Sequence, residues 1–110
     1  MTITESSKNG VRVLRLSGRF DFGARHEFQA AVARAKQGKE RQVILNLQEV
    51  PFMDSAALGM LANMHQQLTA THIHMSLASP QGYVKKILDL ANMGKYFSIN
   101  ATEEPAPSMP

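Results

Sequence analysis

Polar and apolar positions change period several times along the chain, and each change marks an element. ITES and VRVLRLS, residues 3–6 and 11–17, are β-rich, and Asn9-Gly10 between them is a strong two-residue hairpin signal. Both strands are expected near a sheet edge, and Gly18 breaks the second. From residue 24 to 36 the spacing becomes helical: Ala24, Phe28, Ala31, Val32 and Ala35 share one side, Arg25, Gln29 and Arg34 fall largely on the other, and Gly38 is the stop. VILNL, residues 43–47, is a short apolar run suited to a strand covered on both faces. A second helix is expected over 55–69, with Leu58, Leu61, Ala62, His65 and Leu68 as its buried stripe. HIHMSLA, residues 72–78, alternates strictly, placing Ile73, Met75 and Leu77 on one face and His72, His74 and Ser76 on the other. Ser79-Pro80 reads as a cap and first-turn proline for a third helix over 80–93, with Val84, Ile87, Leu88 and Ala91 inward and Gly94 as its stop. KYFSI, 95–99, closes the pattern as a short strand.

The order β-β-α-β-α-β-α-β predicts an α/β fold. It is a mixed sheet with an N-terminal hairpin followed by parallel βαβ crossovers, with helices covering the sheet. Residues 1–100 are expected to form one domain, and the proline-containing end, 101–110, a flexible tail. In such sheets sites form where strands end and helices begin, because backbone N–H groups converge there. Asp21 and the pair Asp54-Ser55 occupy two such junctions.

Composition narrows the function. The chain has 110 residues and a formal charge of +3, its twelve Lys and Arg scattered among acids, so no polybasic arm marks a nucleic-acid footprint. With no cysteine, disulfides, thiolate metal sites and Cys nucleophiles are excluded. MTITESSKNG lacks the charged start and apolar stretch of a secretory signal, and no apolar run is long enough to span a bilayer, so a cytoplasmic location without membrane insertion is the expectation.

Three chemistries compete at VPFMDSAALGML, residues 50–61: helix capping, nucleophilic catalysis and phosphate acceptance. Asp and Ser are favoured caps, although no Glu or Gln at 57 or 58 completes a capping box. A serine nucleophile needs a base and an oxyanion hole, and Ser55 lies in no G-x-S-x-G and is tied to no His by spacing. His72 and His74 lack further spaced ligands for a metal, and Asp21-Phe22-Gly23 matches the kinase D-F-G without the rest of that motif set. No dinucleotide fingerprint or Walker motif occurs, so neither cofactor nor metal is expected. Of seven methionines, Met60 and Met64 stand off the expected stripe and either pack beneath a neighbour or form an adaptable docking surface.

VILNLQEVPFMDSAALGML resembles the signature of STAS domains of the anti-sigma-factor antagonist type. There a strand ending in N-L leads into a hydrophobic-M-D-S-x-G-L-G element that opens a helix. Gly18-Arg19-Phe20-Asp21 and SPQGYVKKILDLANMGKYFSI are similar to two further segments of that family. Ala56 stands where the family commonly has Ser or Thr, and Ala57 where it commonly has Gly. The family's fourth helix is not evident in the sequence, where the proline-containing tail stands in its place. The resemblance implies that Ser55 is the phosphorylated serine of a partner-switching regulator, not an enzyme. It implies protein partners: a serine kinase acting as anti-sigma factor, and a PP2C-type phosphatase. Asp21, Phe22, Asp54, Ser55, Ala56, Gly59, Met60 and Asn63 are the expected partner surface. Two other roles stay open on the residues alone, an STAS subunit docking on an ABC transporter ATPase and a small-ligand or nucleotide-binding STAS domain.

Overall fold

The opening hairpin follows directly from local chemistry. Asn9 and Gly10 both take positive φ, 54° and 79°, as a two-residue primed turn requires, and they join β1 (Thr2–Lys8) to β2 (Val11–Ser17) in an antiparallel pair. The computed structural model describes residues 1–103. After β2 come a 3-10 turn at Phe22–Ala24, α1 (Arg25–Gln37), β3 (Gln42–Glu49), α2 (Ser55–Ala70), β4 (His74–Ala78), α3 (Gly82–Leu90), a 3-10 turn at Met93–Lys95 and β5 (Ser98–Asn100). The five strands lie in chain order, β1-β2-β3-β4-β5, with every pair after the hairpin parallel.

That monotonic order has a geometric consequence. Parallel crossovers are right-handed, and three that advance in the same direction put their helices on the same face. Leu14, Leu16, Val43, Leu45, Leu47, Met75 and Leu77 from the strands accordingly join the buried residues of α1, α2 and α3 in one apolar cluster. Ile44 and Ala78 point to the opposite face; they are buried there but lie outside that cluster. Asn46, also on that face, is tied with Arg15 to Glu103, where the chain returns across the sheet after β5. The flexible tail expected over 101–110 falls, from residue 104 on, outside the described residues.

The helix expected over 24–36 is present with its inward residues buried. Gly38 ends it without a left-handed turn, leaving the helix in an extended conformation at φ −74°, with the tips of the Glu40 and Arg12 side chains against its Cα. Those side chains belong to a network in which Glu5 binds Arg12 and Arg34, and Glu40 binds Arg12 and Ser7.

Five expectations need correction. Ser79-Pro80 does not start the third helix. Ser79 turns left-handed at φ 56°, its N–H and hydroxyl donate to Asn100 and Ala101 carbonyls, and Gln81 is the N-cap. Those two bonds, to the last residue of β5 and the one after it, go with a left-handed backbone at Ser79, which is not the extended conformation an N-cap takes. The helix is also shorter than 80–93, because Asn92 goes left-handed ahead of Gly94, and the last strand is displaced from 95–99 to Ser98–Asn100. His72 lies in a left-handed turn before β4, and Ser76 is buried in mid-sheet, so the alternation in 72–78 does not divide a wet face from a dry one. On α2 the buried side chains are Ala57, Leu61, Met64 and Leu68, whereas Ala62 is exposed.

Candidate functional site

Two strand-to-helix junctions lie side by side at the carboxyl ends of β2 and β3. Beyond the regular ladder the exits stay paired: Gly18 N–H donates to Glu49 O, Phe20 N–H donates to Phe52 O, and Phe20 and Met53 form a further parallel bridge. Phe20 and Met53 are fully buried, so both loops are anchored by their last apolar residue. The next residue in each loop is an aspartate. Asp21 and Asp54 are therefore neighbours, both extended, and each caps the helical turn that begins after it: Asp21 accepts from Gly23 N–H, and Asp54 accepts from Ala57 N–H at 3.0 Å.

Because Asp54 satisfies the cap, Ser55 is left at the first helical position with its hydroxyl exposed and, among the described residues, without a hydrogen-bond partner. Among the described residues no imidazole or carboxylate is hydrogen-bonded to it. Behind it, Ala56 and Met60 are half-buried, and Gly59 and Asn63 are exposed. Met60 and Asn63 line a groove of about 260 Å³ between α1 and α2, with Phe28 and Val32 on the far wall. Met64, paired with Met60 in the sequence as a surface candidate, is in the core. Phe22 is 60% exposed on the adjoining loop, with the Arg25 guanidinium 4.1 Å from its ring centroid. The structure thus groups the eight expected surface residues along one sheet end and one flank of α2.

Sequence reasoning missed a second row. Arg19 lies 4.1 Å from the ring centroid of Phe52, and Phe52 stacks at 5.9 Å and 12° on Tyr83, which is half exposed. Arg19 also reaches Asp21 at 3.5 Å. Cation over aromatic beside a second aromatic contributes roughly 0.5–1 kcal/mol at exposed sites. Its members come from two loops and the first turn of α3, and the only sequence signal is an aromatic or cationic residue in each segment.

A family model described as the STAS domain matches residues 3–106. The chain belongs to the STAS domain family. This STAS domain is 32% identical over 100 residues to an STAS-domain containing protein of Pseudomonas aeruginosa, covering 91% of this chain and 98% of that one. It is 30% identical over 95 residues to an anti-sigma F factor antagonist of Lysinibacillus sphaericus, covering 86% and 80%. Among solved structures it is similar to the Bacillus anti-sigma factor antagonist SpoIIAA. The unphosphorylated form has 26% identity, a TM-score of 0.77 and coverage of 93% and 90%. The phosphorylated form has 25% identity, a TM-score of 0.70 and coverage of 93% of both chains. No described helix of this STAS domain is long and apolar enough to cross a membrane.

Proposed function

We propose that this STAS domain is a phosphorylation-controlled binding module of the anti-sigma-factor antagonist type. With Ser55 unmodified it binds a kinase-type anti-sigma factor or a similar output protein, phosphorylation of Ser55 by that kinase releases it, and a PP2C-type phosphatase restores it. The observation that carries this reading is the division of labour at α2: Asp54 caps, and Ser55 keeps an exposed hydroxyl that the fold does not use. The relatives named anti-sigma F factor antagonist, and a similar protein solved with and without phosphate, support it.

A phosphate on Ser55 sits among free N–H groups at a helix N-terminus, which favours an anion by roughly 0.3–1 kcal/mol when exposed, so the domain carries it without unfolding. A partner surface that closes over the unmodified serine would, on meeting the phosphoform, have to bury nearly two negative charges beside Asp54, a penalty of several kcal/mol if unpaired. Of that, about 2.7 kcal/mol suffices for a hundredfold loss of affinity. Gly59 supports the same surface. A Cβ there would meet nothing within 4 Å, so no internal contact excludes a side chain, yet glycine inside a helix costs roughly 0.5–1 kcal/mol relative to alanine. Close approach by a partner backbone is a reason for that cost.

The test is incubation with the genome's anti-sigma-type serine kinases and ATP, site mapping by mass spectrometry, and titration of both forms against the kinase that modifies the domain. Ser55 should be the modified residue, Ser55→Ala should bind constitutively, and Ser55→Asp should bind weakly. Phosphate on another residue, or equal affinity of both Ser55 forms, removes the switch and leaves Ser55 as part of a helix start.

A further inference from the structure

At the other end of α2 a second set of polar side chains converges. Ser55 and Thr69 are fourteen positions apart on the helix, about 21 Å at 1.5 Å per residue, so this end is remote from the junctions above. Here His65 and Thr69 of α2, His74 at the start of β4, and Lys95, Tyr96 and Ser98 around the start of β5 line a hollow of about 320 Å³. Among the described residues none of these side chains is engaged in a hydrogen bond or ion pair, and the one ring contact is His65 edge-on to Phe97 at 5.4 Å. No Asp or Glu lines the hollow. The chain itself is free of acids over residues 55–88, and Lys95 stands in a second acid-free stretch, 90–102. At the end of α2 the Leu68 and Thr69 carbonyls are occupied, accepting from Thr71, His72 and Ile73 N–H.

A second hollow, about 430 Å³ and mostly apolar in lining, lies against the first, sharing His65, Thr69 and Tyr96 as a common wall. One compartment offers donors and positive charge; its neighbour offers apolar surface. We propose that the two form a single binding site for an organic phosphate monoester, with the phosphate among Lys95, the two imidazoles and the hydroxyls, and an apolar body on Tyr96 and Ala62. Donors outnumber what one carboxylate accepts, and a phosphate's three terminal oxygens accommodate them. A metal ion is the poorer occupant, since among the described residues no three His, Cys, Asp or Glu side chains form a coordinating group.

The test is titration of the ¹⁵N-labelled domain with phenyl phosphate, inorganic phosphate and phenol, read from amide shifts. Phenyl phosphate should give saturable shifts confined to residues 62–75 and 94–99, binding at least about tenfold tighter than either fragment. His74→Gln and Lys95→Gln, both at exposed positions, should each weaken it severalfold while the spectrum stays dispersed, and Lys95→Glu should abolish it. Ser55→Ala should bind like the unaltered domain, so the result is independent of the proposed switch. Absence of saturation, equal affinity for phenol, unchanged binding by Lys95→Glu, or shifts centred on Ser55 would each overturn the assignment.

Discussion

Single residues at the α2 start divide into those the fold needs and those it does not. Asp54 and Met53 are fixed by a cap hydrogen bond and by complete burial, whereas Ser55 and Gly59 have no internal role of that kind. Gly59→Ala should therefore stabilise the domain by roughly 0.5–1 kcal/mol in urea titration and at the same time weaken binding to the output protein. Stabilisation without loss of binding would place the partner elsewhere. Met60→Glu is the complementary change: the residue is half-buried on the groove rim, so stability should move by about 1 kcal/mol or less while binding falls. Met60 and Met64 also show where the sequence was opaque. Both looked surplus to the Leu stripe, yet only Met64 enters the core, because the apolar arc of α2 turns toward Ala57, Leu61 and Leu68. The arc's centre depends on where α1 and β4 press, which one helix's periodicity does not encode.

At the scale of elements, the hairpin, the first helix and the apolar run of β3 were legible because each rests on a local pattern with one outcome. The third helix was not. Ser79 carries good cap chemistry, but its groups close the edge between β4 and the chain beyond β5, a pairing made across 21 or more residues. Arg19 and Phe52 on their loops and Tyr83 in the first turn of α3 were equally unreadable as a unit for the same reason. The return of the chain over the helix-free face is itself testable. Desolvation pushes the Glu103 carboxyl up, but hydrogen bonds from Asn46 and Arg15 and the Arg15 charge outweigh it and hold it below its ordinary value. The Glu40 carboxyl is lowered chiefly by the Ser7 hydroxyl, with Arg12 adding to it against desolvation. A carboxylate with a depressed folded value stabilises fully above the unfolded value, about 4.3, and loses that contribution as pH falls through the folded one. Denaturation midpoints should thus drop in acid below about pH 4, and Glu103→Gln or Glu40→Gln should each flatten that drop. An unchanged acid limb in both variants would mean these contacts contribute nothing.

For the whole molecule, the fold class was readable because crossover handedness and strand count leave few arrangements, and the STAS resemblance selected among them. The proposed switch adds a prediction at this scale: phospho-Ser55 should leave amide exchange protection in β2, β3 and β4 unchanged and alter it only near 54–58. General loss of protection would replace a charge-exclusion switch with an unfolding one. The strand order bears on something else, the time course of synthesis. Every strand pairs with the one made immediately before it, so a chain leaving the ribosome always has its docking template already in place, and no finished edge has to reopen for a later arrival. The hairpin closes over a short stretch, whereas each parallel pairing joins residues 22 to 32 positions apart, the slower kind of closure. Pulse labelling during refolding should find β1, β2 and β3 protected before the three-residue β5, making the carboxyl edge the last part of the sheet to be born and the first to be lost.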